Sequence, residues 1–242
     1  MRAAIEHLRA QASEWHLELD PSQLALLSAY ADILAGYEHA NVIGTTDTGQ
    51  IVTEHLIDSL SCLLVGDLRS SSSVIDVGTG GGLPGVPLAI SCPALSVTLL
   101  EATEKKVRFL HYAREQLGLQ NLALIRGRVE EEGKRASNRE AFEVAVARAL
   151  AELPVVLEYC APLVRIGGLI VAMKGRLTEE ELFQGEAASR ALGLELREVS
   201  KVPYRTDLPQ KERRLVVFDK NRAIPDKYPR RIGLAKKRPL GL

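Results

Sequence analysis

The stretch of residues 74–89 limits most strongly what this chain can fold into. It opens with the run Val-Ile-Asp-Val, typical of a short buried strand, and continues with glycines at positions 78, 80, 81 and 82. Glycine serves where the backbone turns tightly or approaches a ligand too closely for a side chain. Pro84 follows where a helix can begin without losing a needed N–H. A strand, a glycine loop and a helix in this order predict a site whose backbone amides face a ligand above a parallel sheet.

Strand and helix patterns alternate after this stretch, as they do in βαβ units. Apolar runs predict strands at 74–77, 96–100, 122–125, 144–147, 169–174, 195–202 and 214–218. Helices are predicted at 84–91, 104–116, 152–164 and 178–191. The alternation predicts an α/β domain over residues 67–220, with residues 66–73 as the connection that leads into it.

The first 66 residues have a helical pattern instead. Apolar residues at three- and four-residue steps predict one helix up to about residue 19, and Asp20-Pro21 restarts a second. A third helix is predicted over residues 54–64. We therefore expect a helical N-terminal region at 1–66, the α/β domain, and a separate C-terminal tail at 221–242.

Composition argues against several classes of protein. No run approaches the roughly 18 uncharged apolar residues of a membrane span, and charges near the N-terminus argue against a secretory leader, so we expect a cytoplasmic protein. Cys62, Cys92 and Cys160 are odd in number and widely spaced, which fits buried thiols. The five histidines show no paired spacing of metal ligands, so we expect no metal site. We also expect a monomer.

The net charge of zero hides an uneven distribution. From residue 201 onward the chain has 13 basic and 4 acidic residues, a net charge of +9, which leaves −9 on the remainder. Clustered positive charge on an acidic body indicates a polyanionic partner, nucleic acid first. The alternative is a solvated and partly disordered tail.

The glycine loop fits two classes of cofactor. Residues 80–85 match G-x-G-x-x-G, which by itself would suggest a dinucleotide and an NAD-dependent oxidoreductase. Asp76 at the end of the preceding strand favours S-adenosylmethionine, because a carboxylate there would repel a pyrophosphate. Glu101 ends the second strand, where it can accept hydrogen bonds from ribose hydroxyls, although NAD enzymes share this device. A turn cap and a solvated strand end are the alternative roles of these two residues, and their common sheet edge favours the adenosylmethionine site.

Five further motifs accompany the loop. With these residues the sequence resembles the bacterial 16S ribosomal RNA guanine-N7 methyltransferases, the RsmG family, also called GidB or glucose-inhibited division protein B. The motifs are His55-Leu-Ile-Asp-Ser59, the loop with its Leu83-Pro84-Gly85 extension, Glu104-Lys-Lys-Val-Arg-Phe-Leu110, Arg128-Val-Glu130, Arg148-Ala149 and Met173-Lys-Gly175. The resemblance departs at Asn41-Val-Ile43, where the family often has Asn-Leu-Thr, and in the tail, which shorter members lack.

The resemblance implies a Rossmann-like class I methyltransferase fold with a seven-stranded, mostly parallel sheet and a helical N-terminal region. It implies S-adenosyl-L-methionine as cofactor and a guanine of 16S ribosomal RNA in the small ribosomal subunit as substrate. Implied cofactor contacts are Gly78, Leu83, Glu101, Val129, Glu130 and Arg148. To these we add Asp76 and Gly80 in the loop, and Ala102 and Thr103 after the second strand.

Candidates for the pocket that holds the guanine base lie on the helix before the loop and at the ends of two strands. We hypothesise that His55, Asp58 and Ser59 face the base, with packing against the sheet edge as the alternative. Arg148 and Lys174 end the fourth and fifth predicted strands, where a positively charged side chain is rarely buried without a partner. The partner could be the cofactor, a phosphate or a carboxylate in a structural ion pair. Contacts to RNA backbone are expected from these and other basic residues, namely Arg126, Arg128, Lys174, Arg205, Arg213, Arg214, Arg230 and Arg231.

Guanine N7 carries a free lone pair near neutral pH, so its methylation needs no general base, and none is predicted. Catalysis would depend on holding N7 in line with the methyl group and sulfur. The alternatives are an adenosylmethionine-dependent methyltransferase for another RNA, a protein or a small molecule, the oxidoreductase, and a non-catalytic RNA-binding protein with this fold.

Overall fold

A computed structural model describes residues 1–39, 42–205 and 212–241 of the 242-residue chain. Its centre is a seven-stranded sheet in the order β3-β2-β1-β4-β5-β7-β6. The strands are β1 (Ser73–Val77), β2 (Ser96–Glu101), β3 (Leu122–Arg126), β4 (Phe142–Arg148), β5 (Val164–Lys174), β6 (Leu194–Lys201) and β7 (Arg214–Lys220). Only β7 runs antiparallel to its neighbours. The order reverses between β1 and β4, which places a crevice at their carboxyl ends.

Helices cover both faces of the sheet. On the N-terminal side they are α1 (Arg2–Glu14), α2 (Pro21–Gly36), α3 (Thr48–Gln50), a π-helical turn (Ile51–Leu56), α4 (Ile57–Leu60), a 3-10 turn (Ser61–Leu64) and α5 (Gly66–Ser70). The others are α6 (Gly85–Ser91), α7 (Glu104–Leu117), α8 (Val129–Glu132), α9 (Leu153–Cys160), α10 (Glu179–Leu192) and α11 (Leu234–Lys237). Among the described residues no helix is both long and apolar enough to cross a bilayer.

Local sequence explains where the helices begin and end. Asp20 caps α2 through a capping box with Gln23, and Pro21 occupies the first turn, where no N–H is needed. Gly118 ends α7 in the left-handed region with φ +65°. These signals fix the helices that flank the glycine loop.

Two apolar cores lie on opposite faces of the sheet. Successive strand residues point to opposite faces, so Val74 belongs to one core and Ile75 to the other. The first core includes side chains of the N-terminal helices, such as Tyr30, which is fully buried. The second includes α9 and the C-terminal segment, from which Ile224 and Tyr228 are each 5% exposed. Both chain ends therefore help to hold the sheet edge at which the site lies.

The α/β fold, the seven strands and the two N-terminal helices are confirmed, although α1 ends at Glu14 rather than near residue 19 and β5 begins at Val164 rather than at residue 169. Three other local predictions were wrong. The helix predicted over 152–164 ends at Cys160, because β5 already begins at Val164; residues 66–73 contain a helical turn; and the third helix begins before residue 54, at Thr48. The short helices α8 and α11 were not predicted. The boundaries at residues 66 and 220 stay predictions, and Asn41 and residues 206–211 lie outside the described residues.

The C-terminal tail differs most from expectation. Over residues 222–241 it is packed on the sheet domain, which contradicts the alternative of a solvated tail. The Arg139 guanidinium donates hydrogen bonds to the carbonyls of Ile224 (3.1 Å) and Tyr228 (2.8 Å). Arg230 forms a bidentate ion pair with Glu158, whose side chain is 1% exposed. Positive charge in this segment therefore serves packing as well as any external partner.

Candidate active site

Asp76 holds the glycine loop from below. Its Oδ2 accepts hydrogen bonds from the Thr79 hydroxyl at 2.5 Å and from the Gly85 N–H at 2.8 Å. The carboxyl group is fully buried, and this burial raises its pKa to about 6 although both hydrogen bonds favour the charged form. Asp76 thus joins the two ends of the loop, and the structure places its side chain beneath the backbone that faces the crevice.

The loop also depends on close approach from the first core. The Tyr30 hydroxyl donates a hydrogen bond to the Gly81 carbonyl, and Gly82 has φ +86° with the Tyr30 and Val86 side chains at the place of a Cβ. A Cβ on Gly85 would collide with the Leu99 side chain. Glycine at both positions is required by space, and at Gly82 by backbone conformation as well.

Glu101 connects the loop to the helix that follows β2. Its Oε2 accepts from the Gly80 N–H at 3.0 Å and its Oε1 from the Thr103 N–H at 2.7 Å. Each carboxylate oxygen has a second lone pair, so both remain able to accept from a ligand. Glu101 is 7% exposed and this remaining surface lines a cavity. Such a carboxylate matches the paired hydroxyls of a ribose.

The cavity has a volume of about 380 Å³ and lies at the carboxyl ends of the strands. The predicted cofactor residues that line it are Gly78, Glu101, Ala102, Thr103, Val129 and Glu130. Asp76, Gly80, Leu83 and Arg148 do not line it; Asp76 and Gly80 act through the loop contacts described above. The glycine loop, the carboxylate that matches a ribose and the cleft between them fit an adenosine cofactor.

Sequence reasoning missed several residues that line this cavity. They are Lys106, Leu150, Tyr159, Ile232, Gly233 and Lys236. Leu150 follows Ala149, a non-glycine residue at φ +51°, and this turn brings the Leu150 side chain against Gly78. Lys106 belongs to the motif of residues 104–110 at the start of α7, so the sequence could have indicated its place beside the cavity. The three C-terminal residues had no signal, because nothing in the sequence indicated that the tail folds back.

Arg148 lies in a buried cluster of polar groups at the end of β4. Its Nε is 3.1 Å from Asp58 Oδ2, and its Nη1 donates to the His55 carbonyl (3.1 Å) and to the Ser59 hydroxyl (3.2 Å). The other oxygen of Asp58 accepts from Arg213 Nε at 3.2 Å and from the Tyr204 hydroxyl at 3.0 Å. The cluster thus brings together four of the residues predicted for the substrate pocket: His55, Asp58 and Ser59 from the N-terminal helices, and Arg148 from β4.

The same cluster sets the protonation of His55. Its Nδ1 lies 2.5 Å from Arg148 Nη2, and a guanidinium only donates, so Nδ1 accepts and carries no proton. Burial, and then the nearby Arg148 charge, lower the pKa of His55 to about 4. The imidazole is therefore neutral at pH 7. Direct contact of Asp58 with a base stays a prediction; in the structure both of its oxygens lie against arginines.

Most of the arginines predicted to bind RNA have carboxylate partners. Arg126 pairs with Glu104, Arg205 with Glu14, Arg213 with Asp58, Arg214 with Glu212 and Arg230 with Glu158. Lys174 is 2.6 Å from Glu181 and donates to the Ala151 carbonyl, so it has a structural partner too. Within the part of the chain that the structure describes, Arg128 and Arg231 have no such partner, and Arg128 lines the cavity. Contact of these residues with RNA stays a prediction.

The sheet order, with its reversed last strand, and the loop above β1 define a class I methyltransferase. The chain belongs to the family described as rRNA small subunit methyltransferase G (GidB), which matches residues 23–208. A relative from Rubrobacter xylanophilus, called ribosomal RNA small subunit methyltransferase G, is 48% identical over 240 residues, 99% of this chain and 92% of the relative.

Solved structures share the fold at low identity. A putative O-methyltransferase from Klebsiella pneumoniae has a TM-score of 0.51 at 17% identity, covering 85% of this chain and 92% of that one. An O-methyltransferase of neocarzinostatin biosynthesis, solved with S-adenosylmethionine, also has a TM-score of 0.51 at 17% identity, covering 64% and 50%. No group of three or more potential metal ligands occurs among the described residues.

Proposed function

We propose that this protein transfers a methyl group from S-adenosylmethionine to N7 of a guanine in 16S ribosomal RNA of the small subunit. The family supports the reaction and the substrate. The single observation that carries the cofactor is Glu101, which lines the cavity while its two oxygens accept from the amides of Gly80 and Thr103. This arrangement presents a fixed acceptor pair beside a glycine loop, as adenosine recognition requires.

The cofactor supplies a methyl group on a positively charged sulfur. N7 of guanine could accept this methyl group on its lone pair without losing a proton, so the site would need no general base. The protein's part is to align the two molecules and to exclude water. The loop from Gly78 to Leu83 and Glu101 fix the cofactor side of this alignment.

Arg148 ends β4 beside the cavity but does not itself line it, because its guanidinium lies in the cluster around Asp58. It directly precedes Ala149 and Leu150, which line the cavity, and it is 12% exposed at its side chain. Asp58, His55 and Ser59 hold its guanidinium in one orientation. We assign Asp58 and His55 to positioning Arg148, and Arg148 to contact with the cofactor or the RNA.

Arg128 and Arg231 have no carboxylate partner in the described residues, and Arg128 lines the cavity. Both therefore suit contact with RNA phosphates beside the target base. Arg205, Arg213 and Arg214 could join them only by exchanging or sharing their present partners. We further propose a cytoplasmic monomer, which sedimentation at a mass near 26.4 kDa would support.

Mass spectrometry of 16S ribosomal RNA tests the function in the cell. Cells without this protein should lose one N7-methylguanosine from a nuclease digest of the small-subunit RNA, and the wild-type gene should restore it. The Glu101→Ala variant should not restore it. An unchanged content of N7-methylguanosine in the deletion strain would contradict the proposed function.

A further inference from the structure

The C-terminal segment of residues 222–241, here called the strap, is tied to the domain along its length. Arg139 binds two of its carbonyls, Arg230 is paired with Glu158, and the Gly233 N–H donates to Glu130 Oε1 at 3.0 Å. α11 packs on α9, and Ala235 is 1% exposed. The strap therefore has a defined position on the surface, and this position is beside the cofactor cavity.

Three strap residues form part of the cavity wall. Ile232, Gly233 and Lys236 line the same space as Gly78 and Glu101. Ile232 is 54% exposed, whereas Ile224 of the same segment is 5% exposed. A single exposed isoleucine on an open surface is common and does not by itself indicate a binding site. Here the exposed side chain borders an open cleft, and a ligand bound in the cleft would remove it from water.

Glu130 connects the strap to the rest of the cavity. Its side chain is 6% exposed, and Oε1 accepts hydrogen bonds from both the Tyr159 hydroxyl (3.1 Å) and the Gly233 N–H. Glu130 and Tyr159 are themselves lining residues. The strap and the domain thus share one wall, so a ligand that contacts this wall interacts with both.

We propose that the strap is a part of the cofactor site: Ile232 packs on the adenosine end of bound S-adenosylmethionine, and bound cofactor in turn holds the strap on the domain. This inference rests on the proposed function. Glu101 fixes the ribose at one side of the cavity, which leaves the space toward Glu130 and the strap for the attached base. Linkage requires that the effect be mutual, because a ligand that binds only the docked form stabilises that form.

Calorimetric titration of the full-length protein with S-adenosylmethionine provides the first test. Ile232→Ala removes all of the isoleucine side chain beyond Cβ, and because this side chain would be only partly buried by the ligand we expect a Kd about fivefold higher. Ile166→Ala is the matched control, because Ile166 is 52% exposed and does not line the cavity, and its Kd should equal that of the wild type. Neither change removes a buried side chain, so both variants should keep the wild-type Tm.

Hydrogen exchange of the wild-type protein is the second test. Amides of residues 230–238, including Gly233, should exchange more slowly with saturating S-adenosylmethionine than without it. An unchanged Kd for Ile232→Ala, or unchanged exchange in the strap, would overturn the inference while leaving the proposed function intact. Failure of the wild-type protein to bind S-adenosylmethionine would instead overturn the proposed cofactor, and the inference with it.

Discussion

Asp58 and Arg148 form a buried ion pair between the N-terminal helices and the end of β4, with 3.1 Å between Oδ2 and Nε and side chains 1% and 12% exposed. Arg213 approaches the other oxygen of Asp58 from the start of β7. One carboxylate therefore joins three segments that are far apart in sequence. It compensates two guanidinium groups whose charge would otherwise be left at the edge of the active site.

Loss of the Asp58 charge should destabilise the fold. Asp58→Asn keeps the shape of the side chain but leaves Arg148 and Arg213 without their carboxylate, and breaking a buried pair in this way costs about 3 kcal/mol. Asp226→Asn is the control, because Asp226 is fully exposed and 3.5 Å from Arg139. Urea unfolding of both variants measures the difference; equal free energies of unfolding would contradict the proposed positioning role.

The lowered pKa of His55 should make stability depend on pH. The unfolded chain binds a proton at His55 near pH 6.5, whereas the folded protein binds it only near pH 4. The unfolded state therefore holds more protons between these values, and the stability contributed by neutral His55 falls as the pH drops from about 6.5 to about 4.

The raised pKa of Asp76 acts in the opposite direction. Its folded value of about 6 lies above the ordinary 3.8, so its contribution to stability is lost as the pH rises through this window. His55 is therefore isolated by comparing the wild type with His55→Asn at pH 7 and pH 4.5, with the exposed His7→Asn as control. The destabilisation by His55→Asn should shrink at the lower pH; a constant difference would exclude the pKa shift.

The glycine loop should tolerate no side chain at Gly85, where the loop ends and α6 begins. Gly85→Ala would press a methyl group against the Leu99 and Asp76 side chains, an overpacking that costs about 1–3 kcal/mol. Gly36→Ala at the end of α2 meets nothing within 4 Å and should leave the stability within about 1 kcal/mol of the wild type. Thermal unfolding with and without S-adenosylmethionine would show both effects, and equal Tm values for the two variants would count against the loop geometry.

Glu101→Gln should weaken the binding of S-adenosylmethionine at least tenfold. The amide replaces one of two carboxylate acceptors and turns a donor toward the N–H of Gly80 or Thr103. Glu115→Gln on the exposed face of α7 serves as the control. Unaltered affinity in Glu101→Gln would mean that the carboxylate serves only the loop and makes no ligand contact.

The sequence predicted the sheet well because its signals are local. The apolar runs, the glycines after β1 and the acidic residues at the ends of β1 and β2 are signals that each extend over only a few residues. The resemblance that these motifs carry implied a seven-stranded, mostly parallel sheet, which the structure confirms. Strand ends differ from the predictions by only a few residues, except at β5, which begins five residues early with the largely exposed segment Val-Arg-Ile-Gly-Gly.

The unpredicted parts all depend on contacts between distant residues. The sequence shows Asp58 only as an acidic residue on a predicted helix. The fold brings Arg148 and Arg213 to its two carboxylate oxygens. The sequence predicts the strap to be a basic tail. In the structure Arg230 forms an ion pair with Glu158, and Ile232 borders the cofactor cavity. Net charge along the chain does not reveal which charges are already paired.

Methyl transfer in vitro tests the central claim most directly. The purified protein is incubated with isotopically labelled S-adenosylmethionine and small ribosomal subunits from cells that lack it, and the digested 16S ribosomal RNA is analysed by mass spectrometry. We predict one labelled methyl group per subunit, recovered as N7-methylguanosine, and none with Glu101→Ala. Label recovered in any other nucleoside, or in no RNA at all, would contradict the account.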